Sequence, residues 1–227
     1  QMNVRLISHT TPVADLREQG IETAKELITY AARISNPKNQ MNMETADRLI
    51  KYLIKHRHWS PFELVDVTLE IETTRDIARQ ILRHRSFCFQ EFSQRYSDVS
   101  ELGDELFEFS TARMQDNKNR QGSIIATDEF LLQQWLFKQL HVTEAAMDAY
   151  RWALDNGIAK EVARKVLPEG LTKSRLFMKG SIRSWIHYLE VRGPGSGTQL
   201  EHMQVAEQVA KAIAEVFSVK GLENKGE

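Results

Sequence analysis

Apolar residues recur along much of the chain at intervals of three and four, the spacing that places side chains on one face of a helix. Ile21, Ala24 and Leu27 begin the first such segment. Thr74 is a predicted N-cap and Gly157 a predicted C-cap. The pattern predicts helices over Ile21–Ile34, Thr45–His56, Thr74–Arg83, Asp128–Asn156, Ala159–Val166, Ser181–Val191 and Gln199–Val219.

Three segments have the pattern of strands. Leu64–Glu72 alternates apolar and polar residues, whereas Val4–Ile7 and Lys173–Met178 are short runs that fit strands. Residues 86–123 carry neither pattern and predict irregular structure. Because the strands do not alternate with helices, the pattern favours a single α+β domain over residues 1–227.

Composition changes this picture little but limits the function. The 227 residues are 41% hydrophobic and 27% charged, with a formal net charge of −1, which argues against a general nucleic-acid or membrane-binding surface. No apolar run approaches the ~20 residues that span a bilayer, and the first residues lack a secretory signal pattern. The single cysteine, Cys88, excludes an intrachain disulfide and a CxxC metal site. We therefore expect a cytoplasmic protein, in the cytosol of its own cell or of a host.

Positive charge is concentrated in one short segment. Residues 83–96 hold three arginines and a histidine but one carboxylate, and arginine offers a planar fork of donors that suits phosphate. Arg75, Arg79 and Arg83 also share one face of a predicted helix. A chain with a net charge near zero has no global need for such a cluster. The segment therefore predicts a bound anion, and the alternative is a solvated basic face.

Aromatic side chains lie between these cations, at Phe87, Phe89, Phe92 and Tyr96. The combination suits a planar heterocycle that carries phosphate, and it also suits single-stranded nucleic acid. A helical protein without any ligand is a third possibility. The histidines nearby have no carboxylate or thiolate at metal-ligand spacing, so we expect no metal site.

Several elements of the sequence resemble the flavin-dependent thymidylate synthases. Arg83-His84-Arg85, followed by seven residues and Ser93, resembles the signature of that family. Residues that extend this match are Gln80, Glu91, Arg95 and Tyr96. The further elements that resemble the family, in the same order along the chain, are Ala32–Ser35, His58–Glu63, Ala163–Pro168, and Arg183–Arg192 with Gln199 and Glu201.

The resemblance implies a fold and a reaction. The implied fold is a helix-rich single domain with a small, largely antiparallel sheet. The implied reaction is methylation of dUMP to dTMP, with methylenetetrahydrofolate as carbon donor and FAD, reduced by NADPH, as hydride donor. The alternatives are a dUMP hydroxymethylase on the same scaffold and, in another class, a single-stranded nucleic-acid-binding module. The family also implies a homo-oligomer, a tetramer whose active sites combine several subunits.

By the same resemblance, two sets of residues are assigned to ligands. Arg192 is the implied catalytic residue, because a fixed cation would stabilise negative charge on the pyrimidine ring and make its carbon five nucleophilic. The implied dUMP-binding residues are Gln80, Arg83, Glu91, Ser93, Gln94, Arg95, Arg164 and Arg192. The implied FAD-binding residues are Ser35, His58, Ser60, Arg83, His84, Arg85, Ser86, Glu91, Ser181, Arg183 and His187.

The chain departs from the family pattern at a few positions. Gln90 replaces a shorter polar residue, and Ser181 and His187 stand where the family often has asparagine on the flavin-facing helix. A histidine at position 187 can still donate one hydrogen bond to the flavin, with a charge that depends on pH. The glycine-rich turn Gly193–Gly197 replaces one that often carries a histidine.

Cys88 lies among arginines, which can activate a thiolate nucleophile. The resemblance nevertheless implies hydride transfer without an enzyme nucleophile. We therefore interpret Cys88 as a small apolar filler between Phe87 and Phe89.

The longest predicted helix carries a row of large apolar residues. Trp135, Leu136, Leu140 and Met147 are predicted to point inward, into the core or a subunit interface. The preceding polar segment, Asp116–Gln121, is predicted to be a flexible loop. Its part Lys118–Gln121 is either a solvated excursion or a flap over the folate.

Overall fold

The computed structural model describes residues 2–218, apart from the side chains at positions 100–102 and 104. This part of the chain contains eight α-helices and six strands. The helices are α1 Ala14–Glu18, α2 Ala24–Ala32, α3 Ala46–Lys55, α4 Arg75–Ile81, α5 Glu129–Asp155, α6 Lys160–Ala163, α7 Ile182–Arg192 and α8 Leu200–Val216. The strands are β1 Asn3–His9, β2 Asp66–Thr74, β3 Cys88–Glu91, β4 Arg113–Gln115, β5 Ser123–Ile125 and β6 Lys173–Ser181. Short 3₁₀ turns occupy Pro37–Asn39, Ser60–Leu64, Val99–Leu106 and Arg164–Val166.

Four of the strands form a sheet in the order β1-β2-β6-β3. Its hydrogen bonds run in the antiparallel sense: the Thr10 N–H donates to the Asp66 carbonyl over 2.9 Å, and the Phe92 N–H donates to the Arg175 carbonyl over 2.8 Å. β4 and β5 pair separately as an antiparallel hairpin. The predicted helix-rich α+β fold with a small antiparallel sheet is confirmed.

The described residues cluster into two compact units. The long-helix unit, which contains α5, comprises residues 2–3, 72–83 and 90–176. The terminal-helix unit, which contains α7 and α8, comprises residues 4–71, 84–89 and 177–218. A compact unit need not fold independently, so the organisation of residues 1–227 as one domain stays a prediction.

Large aromatic side chains fill the core of the terminal-helix unit. Trp185 and Tyr188 of α7 are fully buried, and the Trp185 indole N–H donates to the Val67 carbonyl over 3.1 Å. The Phe87 ring meets the Trp185 ring edge-on, with 4.6 Å between their centroids. Gly180 allows this approach, because a Cβ at that position would collide with the Phe87 ring. The face of α7 is thus anchored, which fixes the direction of its polar residues.

The core of the long-helix unit forms around the second half of α5. Tyr150 is fully buried there with Val99 and Leu106, and its hydroxyl accepts a 3.4 Å hydrogen bond from the Val99 N–H. Asp128 begins α5 as an N-cap, since its carboxylate accepts from the backbone N–H groups of the first turn. Gly157, with φ of 75°, follows its end as predicted.

The seven predicted helices are all present, but the irregular regions hold more structure than expected. α1 was not predicted, and the region predicted to be irregular, residues 86–123, contains β3, β4 and the first residue of β5. Ser60–Leu64 forms a 3₁₀ turn, so the predicted strand begins two residues late, at Asp66. The predicted end of α8, Val219, lies outside the described residues.

The structure contradicts the core position of three apolar residues on α5 and the burial of Cys88, whereas a subunit interface on α5 stays a prediction. Trp135, Leu136 and Leu140 are 42%, 45% and 38% exposed, so only Met147 of the predicted inward row is buried. The first half of α5 therefore presents apolar side chains that the described residues do not cover. Cys88 is exposed on β3 and is not a filler between two phenylalanines, because alternate residues of this strand point to solvent.

The predicted loop Asp116–Gln121 is a hydrogen-bonded hairpin turn. One carboxylate oxygen of Asp116 accepts from the N–H groups of Lys118 and Asn119 at 2.7 and 3.2 Å. The Gln115 amide also donates to the carbonyls of the turn. No helix in the described part of the chain is long and apolar enough to cross a membrane.

Candidate functional site

The basic face of α4 is largely ion-paired. The Nε atoms of Arg75 and Arg79 donate to the two carboxylate oxygens of Glu169, over 3.3 and 3.0 Å. Arg75 is also buried, with 8% of its surface exposed. Burial alone would raise the pKa of Glu169, but bonds and charge from Arg79 and Arg75 outweigh it and hold that pKa below its usual value. These two arginines stabilise the fold and are not the anion site that the charge pattern suggested.

Other arginines in the long-helix unit have no such carboxylate. Arg83 is exposed just beyond the end of α4, and Arg164 is half-buried in the 3₁₀ turn after α6. Neither has an ion-pair partner among residues 2–218. Gln80, which the resemblance also assigns to dUMP, lies in the last turn of α4 and makes contacts of its own. Arg83 and Arg164 therefore keep their charge available to a ligand.

Glu91 is held from two sides at the end of β3. One carboxylate oxygen accepts a 2.8 Å hydrogen bond from the Ser174 hydroxyl on β6, and the other lies 3.8 Å from Arg79 Nη1. Its side chain is 18% exposed. This arrangement gives a fixed carboxylate that can accept hydrogen bonds from a ligand.

The turn after β3 contains a buried donor without an acceptor. Backbone bonds of Ser93 close the turn, and its hydroxyl accepts from the Arg95 N–H over 3.4 Å. Gln94 is 3% exposed, and its amide nitrogen has no hydrogen-bond partner within the described chain. A buried unsatisfied donor costs free energy, which makes this amide a candidate ligand contact. Arg95 lies 3.8 Å from Glu161 and 5.8 Å from the Tyr96 ring centroid.

Two of the four aromatic residues of the segment pack against cores and do not offer an open ring face for stacking. Phe87 is 8% exposed and packs in the core of the terminal-helix unit. Phe92 packs against the core cluster of the long-helix unit. Tyr96, by contrast, is 78% exposed. Single-stranded nucleic acid needs a row of accessible rings, so this arrangement weakens that alternative.

A cleft of about 540 Å³ opens in the terminal-helix unit. Its volume lies within the range of roughly 300–1,000 Å³ that is usual for ligand sites. Three of the residues assigned to FAD line it, namely Ser86, Arg183 and His187. The remaining lining residues are Ile54, Arg57, Trp59, Glu63, Ser184 and Glu190.

The N-terminus of α7 is locked to the wall of this cleft. Glu63 accepts a 2.7 Å bond from the Ser181 hydroxyl and a 2.6 Å bond from Arg183 Nη1. These bonds, Ser181 first, lower the pKa of Glu63. Ser181 also caps α7 by accepting from the Ser184 N–H, and it is buried and not among the residues that line the cleft. The fixed carboxylate of Glu63 therefore orients the guanidinium of Arg183.

At the other end of α7, Arg192 is bound to a neutral histidine. Its Nε donates to His84 Nε2 over 3.0 Å, so that imidazole nitrogen carries no proton. Burial, with Arg192 and His187 nearby, lowers the pKa of His84 to about 4. The described part of the chain contains no carboxylate within ion-pair distance of Arg192. The guanidinium thus keeps its full charge and two free nitrogens.

A buried pair supports this arrangement. The Tyr188 ring packs edge-on against His84, with 5.0 Å between centroids, and its hydroxyl lies 3.0 Å from His202 Nε2. Burial, followed by Arg192 and His84, lowers the pKa of His202 to about 3. Tyr188 and His202 are fully buried, so they restrict the position of the His84 ring.

Other residues assigned to FAD lie at the surface of the same unit. Ser35, His58, Ser60 and Arg85 are exposed, and none is among the residues that line the cleft. Within residues 2–218, no three histidine, cysteine or acidic side chains lie close enough to hold a metal ion.

Residues of the site that were not assigned from the sequence include Arg57, Glu63, Tyr188 and His202. Glu63 belongs to the element His58–Glu63, and that membership was a usable signal. Tyr188 and His202 read as ordinary core positions on amphipathic helices. The conformation of Arg57 has no signature in the sequence.

The comparisons with known proteins agree with this geometry. Residues 17–218 match the family model "Thy1: Thymidylate synthase complementing protein". The chain belongs to the Thy1 family. The resemblance found in the sequence elements is thereby confirmed over most of the chain.

Two relatives and a solved structure extend the family match. The chain is 48% identical over 216 residues to a probable flavin-dependent thymidylate synthase of Paramecium bursaria Chlorella virus 1, covering 95% of this chain and 94% of the relative. It is 47% identical to the flavin-dependent thymidylate synthase of Synechocystis sp. PCC 6803, covering 95% and 96%. The structure of the UMP/dUMP methylase PolB from Streptomyces cacaoi with 5-Br dUMP superposes with a TM-score of 0.76 at 27% identity, covering 95% of this chain and 91% of PolB.

Proposed function

We propose that this Thy1-family chain is a flavin-dependent thymidylate synthase that methylates dUMP to dTMP. The observation that carries the proposal is Arg192, whose guanidinium is held by the neutral His84 over 3.0 Å. A cation that is fixed but not neutralised can stabilise negative charge that develops on a bound pyrimidine. Relatives of 47% and 48% identity with this activity in their names support the reaction.

The chain's own residues fit a flavin dinucleotide. The cleft combines two arginines with Trp59, a pairing that suits phosphate and an aromatic ring system. We assign to FAD the residues Ser35, His58, Ser60, Arg83, His84, Arg85, Ser86, Glu91, Ser181, Arg183 and His187, with Ser181 acting through Glu63. When bound and reduced, the flavin supplies a hydride; NADPH and methylenetetrahydrofolate complete the proposed set of co-substrates.

A second group of residues is proposed to bind dUMP. Arg83 and Arg164 have no internal ion pair, and the buried Gln94 amide has no internal acceptor. All three can therefore bind a nucleotide phosphate or base without breaking an existing bond. The full proposed set is Gln80, Arg83, Glu91, Ser93, Gln94, Arg95, Arg164 and Arg192.

The proposal includes a homotetramer in the cytoplasm. Apolar side chains on the first half of α5 support association, since Phe130 is 71% exposed and Phe137 is 63% exposed. Exposed apolar patches of this kind mark interfaces between subunits. Sedimentation of the purified chain gives the number of subunits.

No cysteine nucleophile takes part in the proposed reaction. Cys88 is exposed on β3, and we expect Cys88→Ala to keep most of the wild-type turnover of dUMP. Loss of nearly all turnover with FAD still bound would show instead that the thiol acts on the nucleotide.

The proposal is tested by reconstituting the reaction. The purified chain is mixed with FAD, dUMP, methylenetetrahydrofolate and NADPH, and the nucleotide product is identified by mass. A product heavier by one methyl group supports the proposal, whereas a hydroxymethylated product indicates the alternative reaction. A chain that binds no flavin and transforms no dUMP contradicts the proposal.

A further inference from the structure

The helix α3 ends in a conformation that normally requires glycine. Two reverse hydrogen bonds close its last turn: the Arg57 N–H donates to the Ile54 carbonyl over 3.1 Å, and the His58 N–H donates to the Leu53 carbonyl over 2.8 Å. This bonding pattern places its central residue in the left-handed region. That residue is Arg57, with φ of 56°.

The same chain ends two other helices in the same way, but with glycine. After α1, Gly20 has φ of 91°, and after α5, Gly157 has φ of 75°. Both positions make the same pair of reverse hydrogen bonds. A Cβ would meet nothing within 4 Å at either glycine, so the cost of a side chain there is the backbone strain itself.

Among residues 2–218, Arg57 alone combines a positive φ with a side chain. Strained residues of this kind persist where the side chain has a use, and they cluster at ligand sites. Arg57 lines the 540 Å³ cleft together with Arg183 and His187.

The acidic residues of the cleft leave Arg57 without a carboxylate. Glu63 is bonded to Ser181 and Arg183, and Glu190 lies 3.8 Å from His187. Arg57 forms no ion pair within the described chain and is exposed to the cleft. Its charge is therefore available, and the closed helix end fixes the backbone from which its side chain extends.

We propose that Arg57 is a further ligand-binding residue of the cleft and that its guanidinium contacts a phosphate of the flavin dinucleotide. The inference rests on the proposed function for the identity of the ligand. Glycine can adopt this backbone conformation without strain. The arginine side chain therefore contributes to binding but lowers the stability of the fold.

The test compares FAD affinity with thermal stability in Arg57→Gly. Because glycine relieves the strain, we expect the melting temperature of the ligand-free variant to equal or exceed the wild-type value by up to about 4 °C. Because a charge-assisted bond is lost, we expect the Kd for FAD to rise about tenfold. Riboflavin has no phosphate, so its Kd should remain within about twofold of the wild-type value.

Gly157→Arg is the matched control. It places an arginine in the same conformation at a residue that does not line the cleft, and we expect it to lower the melting temperature while the Kd for FAD is unchanged. Arg57→Asn, which tolerates the left-handed region without a charge, should match Arg57→Gly in FAD affinity.

Each outcome decides the inference. Unchanged FAD affinity in Arg57→Gly overturns it and leaves the proposed function intact. Equal weakening of FAD and riboflavin, or a lower melting temperature of Arg57→Gly, assigns Arg57 a role in shaping the cleft and also overturns it. Failure of the wild-type chain to bind FAD overturns the inference and the proposed function together.

Discussion

Two sets of arginines, one in each unit, are fixed by partners of different charge. In the long-helix unit, Arg75 and Arg79 share the carboxylate of Glu169. In the terminal-helix unit, Arg192 is held by the imidazole of His84. Both arrangements fix the direction of a guanidinium through its Nε atom.

The partner decides what the arginine can do. Two carboxylates, Glu169 and Glu91, offset the two positive charges of Arg75 and Arg79, so this pair of arginines contributes to the fold. A neutral imidazole accepts one hydrogen bond and leaves the charge intact. Arg192 is thus prepared to stabilise an anion, and its surroundings keep His84 neutral for that purpose, since burial lowers the pKa of His84 to about 4.

The largest expected effect is the loss of the Arg192 charge. Arg192→Ala should lower kcat by about 100- to 1,000-fold, in line with removal of a fixed donor from a developing negative charge. Arg192→Lys keeps the charge but loses the planar fork, so we expect an intermediate kcat. The measurements are dTMP formation and FAD affinity, which should stay close to wild type. Unchanged turnover in Arg192→Ala would remove this residue from the mechanism.

Exchanging the partner of Arg192 tests the comparison directly. His84→Glu gives Arg192 the kind of partner that Arg75 has, and neutralisation should lower kcat by about 100-fold. His84→Gln retains a neutral acceptor oxygen and should lose less than about tenfold. Turnover and melting temperature are measured for both variants.

The carboxylate variant is the informative one, because a new ion pair should not destabilise the protein. A His84→Glu enzyme with wild-type kcat would show that neutralising Arg192 has no consequence. If His84→Gln loses as much kcat as His84→Glu, the imidazole has a role other than that of a neutral acceptor.

The sequence predicts helices and strands well where the pattern of apolar residues is long. α5 was predicted within one residue at each end, because 27 residues of amphipathic character carry an N-cap and a glycine at the end. β3, with four residues, and β4 and β5, with three each, are too short to establish a periodicity. The exposure of Trp135 could not be predicted either, since an apolar helix face gives no information about which element covers it.

The pairings of the arginines could not be predicted from the sequence for a different reason. Each joins positions that are far apart in the chain: 90 residues separate Arg79 from Glu169, and 108 separate His84 from Arg192. The motif identified residues that bind anions as a group. It could not tell which arginine is neutralised and which is not, because that depends on tertiary contacts.

A moderate effect is expected when the carboxylate partner is removed. Glu169→Gln takes the opposite charge from Arg75, which is 8% exposed, and from Arg79. The Glu169 side chain is 52% exposed, so solvent screens the pairs and we expect a loss of about 1 kcal/mol, or ~2–4 °C in melting temperature. Turnover of dUMP should remain near wild type. A large loss of turnover with normal stability would show that the ion-paired arginines also serve the reaction.

The smallest expected effect is a difference in how the His84–Arg192 pair and the Glu169 ion pairs make stability depend on pH. The depressed pKa of His84, about 4 against a usual 6.5, means that the unfolded chain takes up a proton first as the pH falls. Stability is therefore lost from about pH 6.5 downward, in the wild type and in Glu169→Gln alike. The contribution of Glu169 is present above its usual pKa of 4.5 and disappears only as the pH falls through its lowered folded value.

Plots of melting temperature against pH for the wild type and for Glu169→Gln should accordingly run in parallel from pH 7 to about 4.5 and converge below that. His84→Gln should lose less stability than the wild type between pH 6.5 and 4.5, because one of the two buried histidines no longer titrates; the other is His202, with a pKa of about 3. If the wild-type and Glu169→Gln plots already converge at pH 6, the two arginines do not lower the pKa of Glu169. A His84→Gln curve identical to the wild type would mean that His84 is protonated in the folded protein, and the neutral partner of Arg192 would be lost with it.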